Sequence, residues 1–134
     1  MNRLGQKLII LGWSLYLFSL VLPVSYTHTG QAELGWQYAL VSLVWFADPL
    51  NRSFWYFAPS SIGNILMMVS PIITMLGSAR VHFVTGLMLL GFSFFAVNYF
   101  FDLMENFTGL GYFVWVLAVL VSCAGFFAKS RSYA

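Results

Sequence analysis

Cysteine is almost missing from this chain, and charge is scarce. The single thiol, Cys123, excludes an internal disulfide and any CxxC-type metal site. Charged residues make up 7% of the 134 positions, where a soluble domain carries about a quarter. A net charge of +2 is too small to point to nucleic acid. The sequence also lacks a Ser/His/Asp or Cys/His set, a phosphate-cradling glycine loop and an HExxH motif, so hydrolytic, nucleotide and zinc chemistry find no footing. It has no internal repeat and no low-complexity tract. Every acid lies outside the long apolar runs, and no ionisable residue falls at the centre of one. A proton-driven pump acting alone normally places a carboxylate or histidine relay at membrane depth, and none is offered here.

What is present is apolar and aromatic. Sixty per cent of residues are hydrophobic and 19% aromatic, with 14 Phe, 7 Tyr and 5 Trp; the mean hydropathy is +0.84. Four runs dominate, at 8–23, 60–77, 81–100 and 110–128. Arg3 and Lys7 precede the first run in the manner of a signal peptide. Bulky Leu20, Val21 and Leu22 then occupy the place where a small-x-small cleavage site would stand, so the run reads as an uncleaved helix. It extends from Leu4 or Leu8 to Leu22 and stops at Pro23; counted from Leu4 it spans roughly 28 Å, enough for a bilayer core. A polar loop at 25–35 follows, with His28, Gly30 and Glu33.

Residues 36–47 form a shorter apolar stretch. As a helix it covers roughly 18 Å, too little to cross. Asp48 and Pro49 end it, and Phe54-Trp55-Tyr56-Phe57 reads as an aromatic belt in a return loop. The expected element is an outer interfacial or re-entrant helix. The second crossing helix starts around Pro59-Ser60-Ser61 and runs to Gly77; Pro71 inside it frees the carbonyl of Met67. A turn at 78–80, a third helix at 81–101, a loop at 102–109 and a fourth helix at 110–128 complete the chain, with a polar tail at 129–134. The fold expected is therefore an all-α membrane protein in one domain, 1–134. Four transmembrane helices form an antiparallel bundle, and a short outer helix lies at about 36–47.

Four crossings place Arg3, Lys7, Arg80, Lys129 and Arg131 on one face, and Arg52 with all four acids on the other. The excess of basic residues marks the cytoplasmic side, which puts both termini there. A fifth crossing at 36–47 would move Arg80, Lys129 and Arg131 outside, against that rule.

Glu33, Asp48, Asp102 and Glu105 are candidates for an acidic outer mouth that attracts cations; solvated acids flanking helix ends are the simpler reading. Asp48 and Arg52 stand four apart across Pro49. His28 is a lone loop histidine, and His82 reads as an interfacial anchor. Asn64 and Asn98 lie about one turn inside the outer boundaries of neighbouring helices, where an interhelical hydrogen bond of roughly 0.6–2 kcal/mol would hold the hairpin. Small residues mark close contacts: Gly5, Gly12 and Ser19 on the first helix, Gly86 and Gly91 on the third, and Ala118, Ser122 and Gly125 on the fourth. Such stripes serve packing inside a bundle or against a partner, and the sequence leaves both open.

The order of short motifs resembles a loose group of small four-pass bacterial inner-membrane proteins. They are Leu22-Pro23, then Gly35-Trp36, then Asp48-Pro49-Leu50, and a Gly-x-Gly-Tyr-x-x-x-Trp opening at Gly109, Gly111, Tyr112 and Trp115. The resemblance implies a helical membrane protein and no activity. The function expected is a non-enzymatic integral membrane subunit in the bacterial inner membrane, without cofactor, metal or nucleic acid. It works by helix packing within the lipid bilayer, as a homo-oligomer or in a larger membrane complex. The alternatives are a small oligomeric channel or transporter with an acidic mouth, and an immunity or phage-defence protein.

Overall fold

The computed structural model describes residues 3–50, 54–103 and 109–131, with side chains except at 45–46, 54–57 and 96–103. The described chain is mostly helical. In order, α1 is Arg3–Val21, β1 Pro23–Tyr26, β2 Ala32–Leu34, α2 Gly35–Phe46, α3 Phe54–Leu76, α4 Ala79–Leu103 and α5 Leu110–Arg131. Three stretches are long and apolar enough to cross a bilayer: α1, Ala58–Leu76 of α3, and α5. The described part of α4, Ala79–Phe95, is a shorter apolar helix.

The centre of the fold is a close pairing of α1 with α5. A Cβ added to Gly12 would lie 2.8 Å from Ala118 O and 2.9 Å from Ser122 N, and would strike Ser122 Oγ. One added to Gly125 would lie 2.9 Å from Gly5 O and from Ile9 N, and Gly5 is as tightly held by Lys129 N at 2.8 Å. The small-residue stripes of these two helices therefore face each other, and close backbone approach is obtained by the absence of bulky side chains. Around this seam Ile9, Tyr16, Met67, Leu89, Ala118, Val119, Cys123 and Phe126 form the apolar core.

Three boundaries differ from the sequence reading. The aromatic stretch at 54–57 is the opening of α3, not a return loop; Pro59, its sixth residue, has no N–H to donate to Trp55 O, so one hydrogen bond of the opening turns is lost. Helix α5 continues to Arg131, absorbing half of the expected tail. The loop at 25–35 contains an antiparallel hairpin pairing Ser25 with Glu33 and Tyr26 with Ala32. Its three-residue turn, His28-Thr29-Gly30, is closed by Gly30 N donating to Thr27 O at 2.8 Å, with Gly30 at φ +81°. That left-handed position is the one glycine fills in three-residue hairpin loops.

Helix α3 shows how polar backbone is satisfied in an apolar setting. Pro71 cannot donate to Met67 O, and the Ser70 hydroxyl does so instead at 2.8 Å. Near the helix end His82 Nε2 lies 3.1 Å from Ile73 O, and Lys129 Nζ donates to Thr74 O. Terminal carbonyls of α3 thus receive polar side chains from α4 and α5. His82 is 0% exposed, its ring tilted against Phe126 with centroids 6.0 Å apart, so it is a buried cap and not the interfacial anchor expected.

These contacts order the ends of the molecule. The start of α1, the end of α3, the start of α4 and the end of α5 meet, which gathers the positions of Arg3, Lys7, Arg80, Lys129 and Arg131 at one end. The hairpin and the start of α5 meet at the other, where Gly109 N donates to Val24 O at 2.9 Å.

Candidate functional site

The hairpin end carries the most organised polar group among the described residues. It begins with local chain chemistry. Helix α2 opens at Gly35, whose N–H donates to Leu22 O at 3.0 Å and so anchors the helix start to the end of α1. Gln37, two residues on, accepts from Leu34 N through Oε1 at 2.7 Å, half of a capping box. This fixes the first turn of α2 directly after β2, so Glu33 on the strand and Tyr38 on the helix are held side by side.

Glu33 Oε2 is the focus. The Ser25 hydroxyl of β1 donates to it, and Tyr38 Oη donates from 2.7 Å; Ser25 Oγ and Tyr38 Oη are 2.8 Å apart. Two donors stabilise the ionised carboxylate, so the Ser25 bond first and the Tyr38 bond second hold Glu33 below the usual glutamate range. Burial pushes the Tyr38 phenol up, which keeps it protonated as a donor. Both donors meet one oxygen, and Oε1 receives no protein donor among the described residues. Beside the triangle lies an open cleft of about 470 Å³ lined by Thr27, Gln31, Ala32, Glu33, Gln37, Tyr38 and Val41. Among the described residues no basic side chain lines it, and none of them gives the ionised carboxylate a countercharge.

Of the two expected outer acids whose side chains are described, Glu33 enters this arrangement and Asp48 does not. Asp48 is exposed in the turn after α2. Asp102 falls in the last turn of α4, where side chains are not described, and Glu105 and Arg52 lie outside the described residues. No three His, Cys, Asp or Glu side chains converge among the described residues.

Several of the expected packing residues lie at contacts inside the chain. Gly12, Ala118, Ser122 and Gly125 build the α1–α5 seam. Ser19 is buried, donates to Tyr16 O at 2.6 Å, and presents its own carbonyl to Gly35. Asn64 Oδ1 accepts from Trp115 Nε1 at 2.9 Å, tying α3 to α5; the side chain of Asn98 lies outside the described residues. Gly109 and Gly111 leave room for the backbone of β1, with Leu22 O and Pro23 O 2.8 and 2.9 Å from a Cβ placed on Gly111. The glycines of the last helix's opening are therefore set by hairpin docking.

Sequence reasoning did not find the Ser25–Glu33–Tyr38 triangle. Its available signal was Gly30 between two short β-prone stretches, a hairpin pattern that would have set Ser25 beside Glu33. No protein-family model, curated protein or solved structure matches the chain.

Proposed function

We propose that the chain is a non-enzymatic, four-pass integral membrane protein of the bacterial inner membrane, with both termini in the cytoplasm, that works by lateral contact with a second copy or a larger membrane partner. Three helices of sufficient length and apolarity support membrane insertion, and α4 supplies the fourth crossing. Collection of five basic positions at one end supports the orientation.

The observation that carries the lateral reading is the outward face of α4. The α1 and α5 stripes are consumed within the bundle, but a Cβ added to Gly91 meets nothing within 4 Å among the described residues. Val84, Leu87, Gly91, Phe94 and Phe95 recur at spacings of three or four, so they share one helix face, and each is exposed. A glycine notch flanked by phenylalanines admits close approach of another helix, which lipid chains do not require.

Cysteine cross-linking in native membranes tests this. Cys123 is buried and silent, so a cysteine introduced at Gly91 or Phe94 reports alone. It should yield a disulfide-linked dimer or a discrete adduct with a larger membrane protein. A cysteine at Met75, also exposed but on α3, should give far less. Equal cross-linking at the two positions overturns the lateral reading.

A further inference from the structure

We infer that the cleft between the hairpin and α2 is a binding site for a primary ammonium group, with Glu33 as its counterion. The placement of groups leads there. A half-buried carboxylate is fixed by Ser25 and Tyr38 through a single oxygen, and Oε1 is left without a protein donor among the described residues. The lining supplies hydroxyl and amide oxygens from Thr27, Gln31 and Gln37, and no cation among the described residues. A primary ammonium brings one positive charge and three N–H donors, so it can satisfy the carboxylate and neighbouring oxygens together. The cleft volume of about 470 Å³ falls within the range of small-molecule sites, roughly 300–1,000 Å³.

The positioning is already complete without ligand. Gln37 is locked by its bond to Leu34 N, and the Thr27 hydroxyl accepts from Gln31 N at 3.1 Å. Val41 and the Tyr38 ring add apolar lining to the cleft, suited to the short carbon stem of an aminoalcohol. Two sources present this chemistry at such a surface: a free aminoalcohol such as ethanolamine, and the ethanolamine headgroup of a phospholipid.

The test uses the full chain in phosphatidylcholine nanodiscs. Ethanolamine is titrated by calorimetry, and native mass spectrometry asks whether phosphatidylethanolamine is retained over phosphatidylglycerol. Saturable ethanolamine binding supports a free amine; lipid retention without it supports the headgroup. In either case Glu33→Gln, which keeps an acceptor for Ser25 and Tyr38, should weaken the interaction by about tenfold or more, as loss of a charge-assisted pair requires. The wild type tested with choline, whose nitrogen has no N–H, needs no variant and should bind at least about tenfold more weakly than ethanolamine. Choline equal to ethanolamine, Glu33→Gln equal to wild type, or no binding of either amine source overturns the assignment. The free-amine arm is independent of lateral contact through α4, so the failure of one leaves the other standing.

Discussion

Adding one methyl group at Gly12 should open the centre of the fold, while the same change at Gly91 should not. At Gly12 the new Cβ would lie 2.8 Å from Ala118 O and 2.9 Å from Ser122 N, and closer still to Ser122 Oγ. Ordinary contact needs about 3.5 Å or more, and two of the three obstacles are backbone atoms that no rotamer change can move. The helices must separate by a few tenths of an ångström to nearly an ångström along their whole line of contact. A radial gap of that size forfeits a quarter to a half of each dispersion well, and overpacking of a close-packed site costs about 1–3 kcal/mol. Gly→Ala also raises helix propensity by up to about 1 kcal/mol, which would blur a single measurement. Gly91 supplies the control, because a Cβ there meets nothing within 4 Å and the propensity gain is shared. Gly12→Ala should therefore be less stable than Gly91→Ala by about 1–3 kcal/mol. Ser122→Ala should restore only part of the loss, since Ala118 O and Ser122 N remain. The assay is reversible unfolding of the full chain in mixed micelles, followed by far-ultraviolet circular dichroism. Equal stabilities for the Gly12 and Gly91 variants would refute the seam as the organising contact.

Two further outcomes follow from particular hydrogen bonds. Ser70→Ala leaves the Met67 carbonyl without its donor and should lower stability by about 1–3 kcal/mol; in a Pro71→Ala background, which restores the backbone N–H, the same change should cost little, and a double-mutant cycle with no coupling would contradict the assignment. Glu33 is held below the ordinary carboxylate value of 4.5 in the fold, so its contribution is fully present above the unfolded value and is lost as pH falls through the folded one. Hydrogen exchange at the hairpin amides should show Glu33→Gln less protected than wild type at neutral pH, with the difference vanishing in acid; a difference that grows on acidification would reverse the sign.

The helices were legible because apolar runs of the right length leave few alternatives, and Pro23 stops α1 as its missing N–H requires. The small-residue stripes were legible as contact surfaces but not as partners for each other. Their spacing on α1 and α5 says that backbones approach, and only the fold says which two. Other features were hidden for physical reasons. Strands of four and three residues give too little alternation to stand out beside a polar turn, so the hairpin and its Ser25–Glu33–Tyr38 triangle went unread. The aromatic residues at 54–57 suit an interfacial loop and an interfacial helix start equally, since ring chemistry says nothing about φ and ψ. His82, next to Arg80 and the turn, read as an interfacial anchor from its position; burial against Phe126 and its bond to Ile73 O depend on where α3 ends. The two large apolar faces differ in the same way: Gly91 and Gly12 are alike in sequence, and only neighbouring atoms distinguish the open site from the filled one.

The claim on which the rest depends is that both ends of the chain share one face of the membrane, with the five basic positions on the cytoplasmic side. A paired reporter fused after Ala134, fluorescent only in the cytoplasm and enzymatically active only outside it, measures this directly. Fluorescence without enzyme activity is the result predicted for an even number of crossings. Enzyme activity at Ala134 would mean an odd number, and would contradict the antiparallel pairing of α1 and α5 across the bilayer.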